Sequence, residues 1–246
     1  MAAITPELQR VQDELKTLLA DAVRVLEQNR IPYCAICGTL LGAVRHHGFI
    51  PWDDDVDLLL TRRSYEAFAA VYPAQCAPGF ALDLTDTWVP RVRRAGGGEW
   101  AFVDLFILDP LPDGRLARSW KLLRLKTMQG MLKKHADYSR FSLSKRALLR
   151  VTHAMGRLQS REKTLAAYRR VARGGKGARV HMSDGAFNLL SMPFDEALFA
   201  SPQPIAFEDL TVRAPKDAAA VLTLLYGPDY MTPPPPAQRK PVHLDV

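Results

Sequence analysis

Between residues 7 and 29 apolar side chains return every three or four positions, at Leu8, Val11, Leu15, Leu18, Leu19, Ala22, Val25 and Leu26, which predicts one amphipathic helix. Pro6 suits its first turn and Pro32 closes it. Short apolar runs follow. IPYCAIC, VDLLL and AFVDLFILD have strand length and no helical period, so they read as buried strands. Two helical stretches lie among them: TLLGAVRHH, stopping at Gly48, and RRSYEAFAAVY, capped by Thr61 and stopping before Pro73. ALDLT and PRVRR are weaker strand candidates, divided from AFVDLFILD by a Gly96-Gly97-Gly98 turn. From about 115 to 173 the pattern is helical, with breaks expected near 139–144 and at Gly156. Gly174, Gly175 and Gly177 mark a connection to short strands in RVHMSD and IAFEDLTVRAP, and KDAAAVLTLLYG reads as a last helix. Pro233 to Pro236 read as extended polyproline.

The composition, 246 residues with 48% apolar and 24% charged, excludes global disorder and allows a sizeable core without disulfides or structural metal. We expect one domain over 1–246, with an N-terminal helix to residue 30 and a helical insert at about 115–175. Three cysteines suit a reducing compartment. Cys34 and Cys37 form a C-x-x-C, but on a strand their odd offset points them to opposite faces, which argues against zinc or redox use. The N-terminus lacks a signal-peptide pattern, and no run approaches the roughly 18 apolar residues of a membrane span. A cytoplasmic protein is expected, at most peripheral at the inner face of the membrane.

A net charge of +7 and a pI near 9.4 favour anionic partners. A nucleic-acid-binding module is one such reading. It fares poorly, because the basic residues are scattered and neither stacking aromatics nor a recognition motif accompanies them. The basic helical segment reads first as a solvated face, with docking onto anionic lipid or glycan as the second reading.

The densest chemistry lies in Asp53-Asp54-Asp55-Val56-Asp57, four carboxylates in five residues running into an apolar strand. Period two puts Asp55 and Asp57 on one strand face, roughly 6–7 Å apart. Two such charges repel by about 2–3 kcal/mol at an intermediate dielectric. A hard cation such as Mg2+ would reverse the sign of that interaction, and carboxylate oxygens are the ligands it prefers. A solvated acidic loop with Asp53 or Asp54 capping a turn would explain the same letters. Asp104 adds weight to the metal reading, since a lone acid inside AFVDLFILD is costly unless paired or metal-bound. Upstream, Gly38 and Thr39 open a helix directly after a strand, a candidate phosphate cradle.

This ordered set resembles nucleotidyltransferase folds of the polymerase-beta type. The run CGTLLGAVRHHGFIPWDDDVDLLLTRRSYEAF is similar to the signature of the LicD family of phosphocholine transferases and fukutin-related enzymes. VDLFILDPL and FEDLTVRAPKDAAAVLTLLYGPDYMTPPPPAQRKPVH resemble its later segments. The resemblance implies an α/β (α+β) fold with a small mixed sheet flanked by helices. It implies that Asp55 and Asp57 bind a catalytic Mg2+ or Mn2+, that Asp104 completes the site as ligand or base, and that Asp53 holds a second ion. Gly38 and Thr39 match the glycine turn, and Arg91 matches a basic position, with Arg93 on the same strand face. The implied reaction moves a phospho-alcohol from a CDP-linked donor, CDP-choline first, to a hydroxyl of a glycan or glycolipid such as a lipopolysaccharide or teichoic-acid precursor. A nucleotidyltransferase releasing pyrophosphate uses the same motifs and stays open. Trp52, and less so Trp88, Trp100 and Tyr230, are candidates for holding a quaternary ammonium, although core packing explains each as well. His243 is a candidate phosphate contact. His46 and His47 end a helix, where structural roles suffice.

Overall fold

The computed structural model describes residues 5–84, 88–96, 101–133, 143–185, 187–242 and 244. In chain order the elements are α1 (Pro6–Gln28), β1 (Cys34–Ala35), α2 (Cys37–His46), β2 (Val56–Thr61), α3 (Arg62–Gln75), β3 (Phe80–Asp83), β4 (Arg91–Arg94) and β5 (Val103–Leu111). Then follow α4 (Arg115–Leu132), α5 (Leu143–Arg157), α6 (Arg161–Arg173), β6 (Arg179–Met182), α7 (Phe187–Ser191), β7 (Phe194–Asp195), β8 (Gln203–Phe207), β9 (Leu210–Ala214) and α8 (Ala218–Tyr226). The fold is mixed α/β. The chain forms two compact units: residues 1–83, 91–106 and 196–246, and residues 84–90 and 107–195.

In the first unit, α1 starts where the Thr5 hydroxyl accepts the Leu8 N–H at 3.2 Å, with Pro6 in the first turn. Its buried stripe from Leu8 to Leu26 is the one the spacing predicts. The strand order is β1-β2-β5-β4-β3, with β1 antiparallel to β2 and β4 antiparallel to both β3 and β5. β2 is buried from Val56 to Leu60, which explains its unbroken apolar letters. β8 and β9 form a separate hairpin.

Two boundaries differ from expectation here. IPYCAIC supplies only a two-residue strand, and Cys37 already belongs to α2, with a left-handed φ of 49°. Cys34 and Cys37 are free, buried thiols on different elements. α3 runs through Pro73 to Gln75, because a proline near a helix end removes one hydrogen bond and the Cys76 N–H still reaches the Tyr72 carbonyl at 2.8 Å. The glycine turn at 97–98 and Trp100 lie outside the described residues.

In the second unit, the later half of β5 pairs antiparallel with β6, placing Leu108 opposite Met182, and β6 pairs with β7. Leu125 and Leu132 of α4 pack with Leu165, Tyr168, Val171 and Ala172 of α6 and with Leu190 of α7. Lys121 is buried in this unit, donating from Nζ to the carbonyls of Pro110, Ala172 and Gly174 at 2.6, 2.7 and 2.8 Å. A cation thus meets the carbonyl end of α6. Gly156 does not break α5: a Cβ there would stand 2.3 Å from the Met131 carbonyl oxygen, so it is a close-packing residue.

His181, fully buried in β6, hydrogen-bonds through Nδ1 to the Leu190 carbonyl at 2.8 Å, and burial pushes its imidazole down to about 4. Its ordinary value is 6.5, so the unfolded chain takes up the proton first. The stability this group confers is complete above pH 6.5 and falls by about 3 kcal/mol on acidification to pH 4. Urea unfolding midpoints should therefore drop between pH 7 and 4.5 less steeply in His181→Asn than in the wild type. Equal slopes would place the acid sensitivity elsewhere.

Candidate active site

The acidic loop is held from three sides within the first unit. Gln12, buried in the apolar stripe of α1, donates from Nε2 to the carbonyls of Asp53 and Ile50 at 2.9 and 3.3 Å. The β8–β9 turn residue Glu208 accepts the Phe49 N–H at 3.0 Å and donates its own N–H to the His47 carbonyl at 2.7 Å. Asp54 is fully buried and accepts the backbone N–H groups of Val242 and Leu244 at 3.0 and 2.7 Å. It therefore anchors the C-terminal tail. Asp54→Ala should cost about 2–4 kcal/mol for two charge-assisted bonds. Hydrogen exchange at the Val242 and Leu244 amides reads that loss directly, and unchanged protection would refute the anchor.

Asp55 and Asp57 flank Val56 at the start of β2, and Asp104 lies on the neighbouring β5. Asp57 and Asp104 are buried, at 6% and 8% exposure. Burial pushes the Asp57 carboxyl well above the usual carboxylate range, and Asp55, Asp104 and Asp53 push it further in that order, while a hydrogen bond from the Gly38 backbone works against them. Asp55, Asp104 and Asp53 thus lie within electrostatic reach of Asp57. Gly38 faces the same group: a Cβ there would lie 2.4 Å from Asp53 Oδ2, so a larger residue would have to displace the Asp53 carboxylate. Thr39 is buried, and its hydroxyl accepts the Asp57 N–H at 2.8 Å, which ties α2 to β2. Its role is to set the position of the strand that carries the acids.

The two basic residues expected on β4 each meet a carboxylate. Arg91, directly opposite Asp104 in the β4–β5 register, takes both of its oxygens, at 2.6 Å from Nε and 3.3 Å from Nη2, and lies 3.7 Å from the centroid of Phe102. Arg93 pairs with Asp83 at 2.6 Å. Both are held by carboxylates. Two other guanidiniums stand by the acidic loop. Arg45, in the last turn of α2, donates to the Tyr230 carbonyl at 3.0 Å and to His46 Nε2 at 2.9 Å. Arg239 donates to the Pro234 carbonyl at 2.8 Å and lies 5.3 Å from the Trp52 ring centroid. Burial and then Arg239 lower Arg45, whereas Tyr226 and Asp53 favour its charge. Among the described residues neither Arg45 nor Arg239 is ion-paired to a carboxylate. Two close guanidiniums beside an acidic loop offer charge-assisted donors to an anion.

Trp52 does receive a cation, but from Arg239, and the His46 ring meets it edge-on at 6.4 Å. Burial and then the Arg45 charge push His46 down. Tyr230 contributes its carbonyl to Arg45. Tyr226 presents an exposed ring, but burial of its hydroxyl end, followed by Cys37, Asp57, Asp53 and Asp55, pushes its phenol up. Trp88 belongs to the second unit, donating to the Asp184 carbonyl at 2.9 Å. His243 lies outside the described residues. Gln12, Arg45, Tyr226 and Arg239 are the site residues that sequence reading passed over. For Gln12 a polar letter in an apolar stripe was the signal; for Arg45 it was a charge inside the long first motif.

The donor set suits a hard divalent cation, because it consists of carboxylate oxygens whose crowding already disfavours their joint ionisation. Among the described residues no three Asp, Glu, His or Cys side chains stand together as a ready ligand shell, and Asp104 is held by Arg91. A cation drawing in Asp104 would therefore compete with the Arg91 guanidinium.

Residues 30–110 match the family model described as LicD/FKTN/FKRP, nucleotidyltransferase domain. A Haemophilus influenzae protein, lipopolysaccharide cholinephosphotransferase LicD, is 29% identical over 140 residues, covering 50% of this chain and 49% of that protein. An uncharacterized protein of Rickettsia typhi is 42% identical over 75 residues, 30% of this chain and 24% of that one. One of Rickettsia prowazekii is 52% identical over 44 residues, 18% and 16%. The chain spans about half or less of the length of these curated relatives. No helix among the described residues is long and apolar enough to cross a membrane.

Proposed function

For a chain that belongs to the LicD family through residues 30–110, we propose transfer of phosphocholine, or a related phospho-alcohol, from a CDP-linked donor to a hydroxyl of a surface-glycan precursor. The observation that carries this reading is the buried Asp57, crowded by Asp55, Asp104 and Asp53 inside the matched segment. It is reinforced by Arg45 and Arg239 beside the loop, which among the described residues pair with no carboxylate.

In this account Asp55 and Asp57 would hold Mg2+ or Mn2+, with Asp104 joining them and Asp53 available to a second ion. The ion, when bound, supplies charge neutralisation on the diphosphate and its leaving group. The protein does the rest. Arg45 and Arg239 grip the diphosphate oxygens, and Gly38 leaves room for Asp53 against the α2 turn. Arg91 keeps Asp104 oriented between turnovers. The acceptor oxygen bonds to the phosphorus that carries choline, and that phosphorus loses its bond to the bridging oxygen. CMP leaves with the bridging oxygen. The hydroxyl proton passes to a carboxylate or to solvent.

Separate incubation with CDP-choline, CTP and ATP, in the presence of Mg2+ and a lipopolysaccharide or teichoic-acid precursor, tests the reading by mass analysis of the small products. CMP from CDP-choline together with a phosphocholine-modified acceptor is expected. Pyrophosphate from a triphosphate, without CMP from CDP-choline, would overturn it in favour of nucleotidyl transfer.

A further inference from the structure

We propose that the outer faces of α4 and α5 in the second unit form a docking surface for an anionic lipid bilayer. On α4, Leu116, Trp120 and Leu123 fall at i, i+4 and i+7, so they line one face of the helix, and they are 88%, 62% and 54% exposed. The opposite side of the same helix is committed to the protein, where Lys121, Leu125, Gln129 and Leu132 are buried. Helical geometry puts Arg124 along one flank of the Leu-Trp-Leu strip and Arg115 and Lys126 along the other. α5 repeats the arrangement: Val151 and Met155, with Leu158 just beyond its end, have the same spacing and are exposed, beside Arg150 and Arg157. The two helices pack through small residues, Gly130 against Thr152 and Gly156 against the Met131 backbone.

Charge selects the occupant. Residues 115–160 carry twelve Lys and Arg against a single acid, Asp137, a net of +11, while the whole chain is +7. The remaining residues are therefore net −4, and neither α4 nor α5 contains an acidic residue. A basic helix that also exposes Leu and Trp on its outer face matches the headgroup boundary of an anionic membrane: the apolar strip enters the acyl edge, Trp sits at the interface, and flanking Arg and Lys meet phosphates. A nucleic acid would reward the charges but not the leucines. This inference does not rest on the reaction proposed above.

The test is flotation of the full chain with phosphatidylcholine vesicles, with and without roughly 30% phosphatidylglycerol, at low and high salt. Binding should require the anionic lipid and weaken with salt. A triple variant, Leu116→Ser, Trp120→Ser and Leu123→Ser, should lose about ten-fold or more in partitioning at unchanged thermal stability, because all three side chains are exposed. Brominated lipid should quench the wild type more than Trp120→Phe. No binding to the anionic vesicles, retention of binding in the triple variant, or displacement by a short oligonucleotide at equal charge concentration would each overturn the proposal.

Discussion

Asp57→Asn should abolish turnover while making the metal-free protein more stable. The loss in rate is expected at about 10³-fold or more, the several kcal/mol of transition-state stabilisation that a bound divalent ion supplies. The gain in stability follows from the same geometry. Asp57 is buried, and burial and the neighbouring Asp55, Asp104 and Asp53 raise its carboxyl, so the folded state is penalised whenever that group must ionise. The raised group binds its proton more tightly folded than unfolded. Its contribution is therefore favourable at low pH and lost as pH rises through and beyond the ordinary carboxylate value. Asparagine removes the charge and keeps an oxygen to accept from the Gly38 backbone. In EDTA at neutral pH the thermal midpoint should rise by roughly 2–4 °C, the shift expected for about 1 kcal/mol in a chain of this size. A variant that is both slow and destabilised would point to a structural role for Asp57. One that is stable and active would remove the site altogether.

The second large effect concerns Arg45 and Arg239. Replacing either by Met removes charge-assisted bonds to the donor diphosphate worth about 2–3 kcal/mol, so kcat/KM for the CDP-linked donor should fall by roughly 30–150-fold. The loss should be carried mainly by donor KM, with the acceptor KM unchanged. Lysine should rescue Arg239 poorly, because it lacks the planar fork and lies less well over the Trp52 ring. Arg93→Met, at a residue paired with Asp83, serves as the contrast and should leave the donor KM close to that of the wild type. Equal losses at Arg93 and Arg45 would move the anion site to the face of β4.

These two expectations also mark where sequence reading reaches and where it stops. The apolar stripe of α1, the buried β2 and the acid in β5 were legible, because local periodicity and the cost of a lone buried charge act within a few residues. The DxD of Asp55 and Asp57 could be read for the same reason. Partner choice could not. Arg91 lies on β4 opposite Asp104, and only the register of two strands reveals that it holds a carboxylate. Asp54 looks like its neighbours in the sequence, yet it spends its oxygens on residues 188 and 190 positions away. Arg239 meets Trp52 across a similar separation. Nothing in the sequence shows that the Thr39 hydroxyl takes the Asp57 N–H, a bond that depends on how α2 lies against β2. The expected stop at Pro73 failed for a smaller reason: one lost hydrogen bond near a helix end is tolerable.

The most direct test of the central claim is a Mn2+ titration of the full chain, followed by the electron paramagnetic resonance signal of the free ion, in the wild type and in Asp57→Asn. The account predicts saturable uptake by the wild type, competition by Mg2+, and loss of that uptake in the variant. Absence of uptake by the wild type, or equal uptake by both proteins, would contradict it.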